Sequence, residues 1–187
     1  MKKATKGSLR SGIVRLCLNA LFVALYVVLS IYLGIKISTV EISWATLPVL
    51  LCAFLLGPWD ALAVALLGSF LEQMLTFGLS PTTWLWMLPV VLQALFVGLL
   101  AKVIAKHTAG NRTVLFSAIL IVVAELLLTA MNTGALYLDG AIMGYPVKAL
   151  WVLLPTRLIN GSVRALLSAV LICDLLPALR RVTKKFL

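Results

Sequence analysis

Val114-Leu-Phe-Ser-Ala-Ile-Leu-Ile-Val-Val-Ala-Glu-Leu-Leu-Leu-Thr-Ala-Met-Asn-Thr-Gly-Ala-Leu-Tyr137 carries a single charged residue, Glu125, in 24 positions. About 20 apolar residues span the hydrocarbon of a bilayer. A chain immersed in lipid must satisfy its backbone polar groups internally, which makes such a run a helix. Outward from it, Ile13–Leu33, Ile42–Leu56, Trp59–Phe77, Thr83–Ile104 and Ala149–Leu176 read the same way. The second is short, and is expected to be re-entrant, strongly tilted or shielded by protein. Composition agrees: 63% of the 187 residues are apolar, 12% are charged, and the mean hydropathy is +1.12, which is not the make-up of a soluble domain. The expected fold is an all-α membrane protein of six transmembrane helices. It forms one domain, residues 13–177, between a basic N-terminal tail, 1–12, and a basic C-terminal tail, 178–187.

The net charge of +10 invites a nucleic-acid reading, but its distribution argues against one. Lys2, Lys3, Lys6, Arg10 and Arg15 precede the first span. Lys102, Lys106 and Arg112 flank the fourth-to-fifth connection, and Arg180, Arg181, Lys184 and Lys185 follow the last span. Twelve of the sixteen basic residues thus fall on one side if six helices alternate. The positive-inside rule makes that side cytoplasmic, with both termini there. The first apolar run is too long for the core of a secretory signal and reads as a span. Cys17, Cys52 and Cys173 are scattered and form no CxxC pair, so they read as structural thiols, with no metal site expected.

The connections carry the remaining polar character. Gly34–Glu41 is an external stretch with Lys36, Ser38 and Thr39, and Pro48 beyond it is expected to bend or interrupt the second helix. Gly57-Pro-Trp-Asp60 has turn and cap chemistry. Phe77 to Trp86 is an aromatic-rich external connection in which Ser80 or Thr82 can cap the next helix. Trp84 and Trp86 there sit at interface depth, as an aromatic belt or as part of a site with Thr83. His107 lies in a polar loop and reads as solvated. Tyr137 to Lys148, with Asp139 and Tyr145, is long for a helix connection and reads as a binding loop or lid. No internal repeat of the kind found in secondary transporters is apparent.

Polar side chains inside the apolar runs are costly, about 2.5–3.5 kcal/mol for a central arginine on translocon scales. They therefore face partners or a cavity. Glu72, Glu125, Asn132, Arg157, Asn160 and Arg164 are such residues. Arg157 and Asn160 share a helix face. Two uses are open: internal ion pairing, such as Glu125 or Glu72 with Arg164, and a forked cation at Arg157 for a carboxylate ligand. Catalytic signals are poor. There is no HExxH, no GxSxG and no Gly-rich phosphate loop, so neither an enzyme nor a self-contained ATP-driven pump is indicated, and no cofactor is expected.

Several segments together resemble the substrate-binding S component of energy-coupling factor (ECF) vitamin transporters, most closely its folate branch. They are Ala20-Leu-Phe-Val-Ala24, Leu47-Pro-Val-Leu-Leu-Cys-Ala-Phe-Leu-Leu-Gly-Pro58, Thr82-Thr-Trp-Leu-Trp-Met-Leu-Pro89, Asn132-Thr-Gly-Ala-Leu-Tyr-Leu-Asp139 and Leu154-Pro-Thr-Arg157. The resemblance covers nearly the whole chain. It implies a multi-pass protein of the bacterial cell membrane that captures a water-soluble vitamin from outside. It further implies docking through Ala20 and Ala24 onto a membrane coupling protein (T component) driven by two cytoplasmic ATPases. By its Leu-Pro-x-Arg context it implies a pocket role for Arg157.

On that reading Arg157 with Lys36 or Lys148 suits an acidic ligand tail, Trp84 beside Thr83 suits stacking on a pterin, and Trp44 and Tyr145 are supporting walls. Asn132, Tyr137 and Asn160 complete the expected set. Folate-type members often carry a Tyr/Phe-Pro-Gly-Phe stretch where this chain has Thr82-Thr-Trp-Leu-Trp86. That departure keeps pantothenate or another anionic vitamin as an alternative ligand. A stand-alone carrier or channel, with Glu72 and Glu125 as ion sites, is the alternative of a different class.

Overall fold

In the computed structural model six helices form the bundle: α1 (Lys6–Ile31), α2 (Thr46–Leu55), α3 (Pro58–Thr76), α4 (Thr83–His107), α5 (Asn111–Met143) and α6 (Val147–Phe186). A small antiparallel hairpin, β1 (Ile35–Ile37) and β2 (Val40–Ile42), with Lys36 opposite Glu41, joins α1 to α2. The structure describes residues 6–33, 35–37, 40–108, 111–144 and 147–186. By length and composition, Ser11–Ile31, Thr83–His107, Arg112–Met143 and Leu154–Thr183 suffice to cross a membrane. In α3, Asp60, Glu72 and Gln73 dilute the apolar character over its 19 residues. Large apolar side chains cover the bundle's outside, as a lipid-facing surface requires: Leu16, Leu67, Leu115, Ile119, Leu166 and Val170 are among those exposed.

The second helix is the element the sequence read as too short. It begins at Thr46, not Ile42, because residues 40–42 pair in the hairpin. Pro48 sits in its first turn, where a missing backbone N–H costs nothing, so it opens the helix without breaking it. Ten residues rise only about 15 Å, half the hydrocarbon thickness. Protein shields most of it: Val49, Leu50 and Cys52 are wholly buried, and the stripe Leu47, Leu51 and Leu55 is partly buried.

Cross-helix contacts set the directions. Arg15 meets Asp60 and Tyr26 meets Glu72, so α1 and α3 run parallel. Lys102 lies beside Gly57, at the start of α3, so α4 runs against it. Glu125 meets Arg164, while Cys173 reaches back to Val114, so α5 and α6 are antiparallel. The start of α1 and the end of α6 therefore share one end of the bundle. Small residues make the interhelical seams tight, with Ala61, Ala65, Ala94, Ala124 and Ala165 almost fully buried. Gly98 marks one of the tightest seams. A Cβ there would fall 2.5 Å from the Pro58 backbone, so α4 can cross the start of α3 only with no side chain at that position.

Three connections differ from the sequence reading. The stretch 137–148 is not a long loop: α5 continues to Met143, and Gly144, at φ +79°, ends it as left-handed helix-stopping glycines do. Between Tyr137 and Met143 Gly140 alone disfavours a helix strongly, by about 1 kcal/mol relative to alanine, and the first proline is Pro146. The basic stretch at the C-terminus is helix as well. The 40 residues of α6 rise about 60 Å and run unbroken through Pro155 and Pro177. Finally, Arg15 is no free interfacial charge and Asp60 no cap. Arg15 Nε donates to both Asp60 oxygens (3.0 and 2.8 Å), Asn19 Nδ2 donates to Oδ1 (2.8 Å), and Gly57 occupies the capping position.

Candidate functional site

A cavity of about 410 Å³ opens at the end of the bundle opposite the start of α1 and the end of α6, within the range of small-molecule sites. Every helix contributes a wall. From α1 come Tyr26, Ser30 and Ile31. The entry to α2 supplies Ser43, Ala45 and Thr46, and the end of α3 supplies Glu72, Gln73, Thr76 and Phe77. Trp86 and Val90 come from α4, and Leu128, Thr129 and Asn132 from α5. Arg157, Asn160, Gly161 and Arg164 form the α6 face. The helical spacing of Arg157, Asn160, Gly161 and Arg164 puts one stripe of a single helix along the wall.

Beneath that stripe lies a buried charge network. Glu125 is fully buried, and its Oε2 pairs with Arg164 Nε at 2.8 Å. Its Oε1 accepts from Thr46 Oγ1 at 2.8 Å. Thr129 Oγ1 donates to the Glu125 carbonyl at 2.9 Å and lies 3.4 Å from Arg164 Nη2. Gly161 lets this corner close, since a Cβ there would collide with the Thr129 side chain. Three helices, α2, α5 and α6, are thus tied at one carboxylate. Of the two pairings open from sequence, this settles the partner of Arg164 as Glu125.

Glu72 is held differently. Tyr26 OH donates to Oε2 at 2.8 Å and Ser30 donates to Oε1, so both partners are neutral hydroxyls of α1. Among the described residues no lysine or arginine pairs with Glu72, and no carboxylate pairs with Arg157. The Glu125–Arg164 pair cancels itself. Among the described residues the cavity is left with one carboxylate on α3 and one half-buried guanidinium on α6.

Of the residues expected from sequence, the structure brings Asn132, Arg157 and Asn160 together at the cavity. It turns Trp84 outward, 60% exposed on the bundle surface, and Trp86 inward, because residues two apart on a helix face different ways. Thr83 is buried, and its Oγ1 accepts from the Ser80 backbone N–H (2.9 Å), fixing the α3–α4 connection; no side chain caps α4 from Thr82. Trp44 is half-buried between the wall residues Ser43 and Ala45, and Tyr137 is half-buried on α5; neither lines the cavity. Lys36 lies in β1, but its side chain, like that of Lys148 and all of Tyr145, falls outside the described residues. Sequence reasoning did not place Tyr26, Ser30 or Gln73 at the site, and it offered Trp86 only beside Trp84, as belt or as site. The signal available was Glu72, whose place within an apolar run calls for donors. Ala20 and Ala24 are both exposed on α1, the most peripheral helix, which buries little beyond Phe22, Tyr26 and Ser30.

The chain matches the family model described as ECF transporter, substrate-specific component, over residues 14–173. No curated protein matches its sequence significantly. Among solved structures it is similar to ThiT from Listeria monocytogenes, with a TM-score of 0.70 and 22% identity over 91% of this chain and 97% of that one. It is also similar to the S-component for biotin from an ECF-type ABC transporter, with a TM-score of 0.66 and 14% identity over 92% of this chain and 94% of the other. Identities that low speak for the fold, and the family match over most of the chain speaks for kinship. The chain belongs to the substrate-specific components of ECF transporters, integral multi-pass membrane proteins that bind substrate without catalysis and work with a T component and ATPases in vitamin uptake.

Proposed function

We propose that the chain captures an anionic water-soluble vitamin from outside the cell, folate or a folate-like compound ahead of pantothenate. The termini then lie in the cytoplasm and the cavity faces the exterior, in line with the basic residues at the terminal end. The observation that carries this reading is Arg157. A half-buried guanidinium on a cavity wall, without an acidic partner among the described residues, suits a ligand carboxylate bound through its fork. Trp86 and Phe77 on neighbouring walls suit stacking on a flat heteroaromatic ring, the role the sequence reading gave to Trp84. Delivery to the cytoplasm falls to a membrane coupling protein that docks on the exposed Ala20–Ala24 face of α1 and is driven by two cytoplasmic ATPases. The stand-alone carrier loses one of its two ion sites, because Glu125 is already paired with Arg164.

Mass spectrometry of small molecules that copurify with the protein tests the reading. A carboxylate-bearing vitamin is expected, and Arg157→Ala is expected to weaken its binding at least tenfold while the protein stays folded. Full affinity in a folded Arg157→Ala variant removes Arg157 from the site. Uptake by the chain alone, without ATP, overturns the subunit assignment.

A further inference from the structure

We infer that Glu72 is the second recognition pole of this cavity: it selects ligands whose head presents adjacent N–H donors, such as an aminopyrimidine-type ring, opposite an anionic tail at Arg157. This deepens the vitamin-site reading and rests on it. The cavity's charge balance points there. Arg164 is neutralised by Glu125 from below, which among the described residues leaves one carboxylate and one guanidinium on separate helices, unpaired with each other. A simple monoanion bound at Arg157 would leave Glu72 uncompensated and would be repelled by it. A ligand with a donor head and an acidic tail satisfies both walls at once.

Glu72 is also built as an acceptor. An ionised carboxylate offers about four lone-pair sites, and among the described residues two are used, one on each oxygen, by Tyr26 and Ser30. Two parallel N–H groups fit the fork that remains. Tyr26 is 2% exposed and cannot swing away. Its ring lies against Gly68 so closely that a Cβ there would come within 2.8 Å. The carboxylate's orientation is therefore set before ligand arrives, the condition under which a polar contact discriminates between ligands. Trp86 and Phe77 supply flat apolar walls near such a head.

The test uses the full-length protein in lipid nanodiscs and two probes, by titration calorimetry. Folic acid carries an aminopyrimidine ring and carboxylates; pantothenate carries a carboxylate and hydroxyls but no such ring. Wild type is expected to bind folic acid more tightly than pantothenate. Glu72→Gln keeps the size and one acceptor oxygen, with its amide nitrogen facing the other hydroxyl as a donor, and is expected to weaken folic acid at least tenfold while leaving pantothenate unchanged or tighter. Tyr26→Phe, which only loosens the carboxylate, is expected to weaken folic acid severalfold and pantothenate not at all, and serves alone if Glu72→Gln fails to fold. Unchanged folic acid affinity in these variants overturns the role of Glu72 while the vitamin reading stands. Pantothenate bound more tightly than folic acid by wild type does the same. Binding of neither probe by wild type overturns both.

Discussion

Arg164→Met is the perturbation whose consequence follows most directly from the structure. Glu125 is wholly buried and holds two partners, Arg164 at 2.8 Å and Thr46 at 2.8 Å. Methionine roughly conserves the stem of the side chain but removes the guanidinium, leaving a buried carboxylate with one neutral donor. Breaking one side of a buried pair costs about 3–5 kcal/mol, whereas replacing both members by apolar residues is often neutral or stabilising. For a chain of this length about 1 kcal/mol corresponds to roughly 2–4 °C in melting temperature, so the ligand-free variant is expected to melt roughly 6–20 °C lower. Glu125→Leu combined with Arg164→Met should recover most of that loss. Thr46→Val removes only one hydrogen bond to a charged group, worth about 1.5–3 kcal/mol, and should fall between. Tryptophan fluorescence during heating in nanodiscs reads all four proteins. A single variant melting within 2 °C of wild type (roughly 1 kcal/mol or less) would refute the claim that this pair ties α2, α5 and α6 together. So would a double variant no more stable than the single one.

The tryptophans make a second test. Trp86→Ala is expected to weaken ligand binding at least tenfold, and Trp84→Ala to leave it within twofold, since Trp84 faces outward; equal effects in a binding titration would contradict the assigned faces. On α1, Ala20→Trp is expected to leave binding intact and abolish uptake in cells carrying the coupling protein and ATPases, because a bulky residue keeps a second helix from approaching. Normal uptake by that variant removes Ala20 from the docking face.

Much of this protein was legible along the chain. The apolar runs, their lengths and their flanking charges dictate a helical membrane bundle, because backbone groups in hydrocarbon have no partner but one another. The polar residues too expensive to leave in lipid flagged Glu72, Glu125, Arg157, Asn160 and Arg164, and all of these line the cavity or pair directly beneath it. Composition speaks to burial and cost, and those are properties a residue carries with it.

Partnership is not such a property. Nothing in the chain order says that Arg164 finds Glu125 and not Glu72, that Tyr26 and Ser30 reach Glu72 across 46 and 42 positions, or that Arg15 crosses to Asp60. Those choices follow from which helices lie parallel and how far each is rotated, and a turn of 100° per residue is enough to exchange Trp84 for Trp86 at a wall. The stretch 137–148 shows the same limit at the level of elements. Its glycines and polar residues match a loop locally, yet the chain there stays helical to Met143. Sequence alone thus determined what must be hidden from lipid. Only the packed bundle decided which hidden groups would meet, because distance in space, not order along the chain, sets the strength of an electrostatic contact.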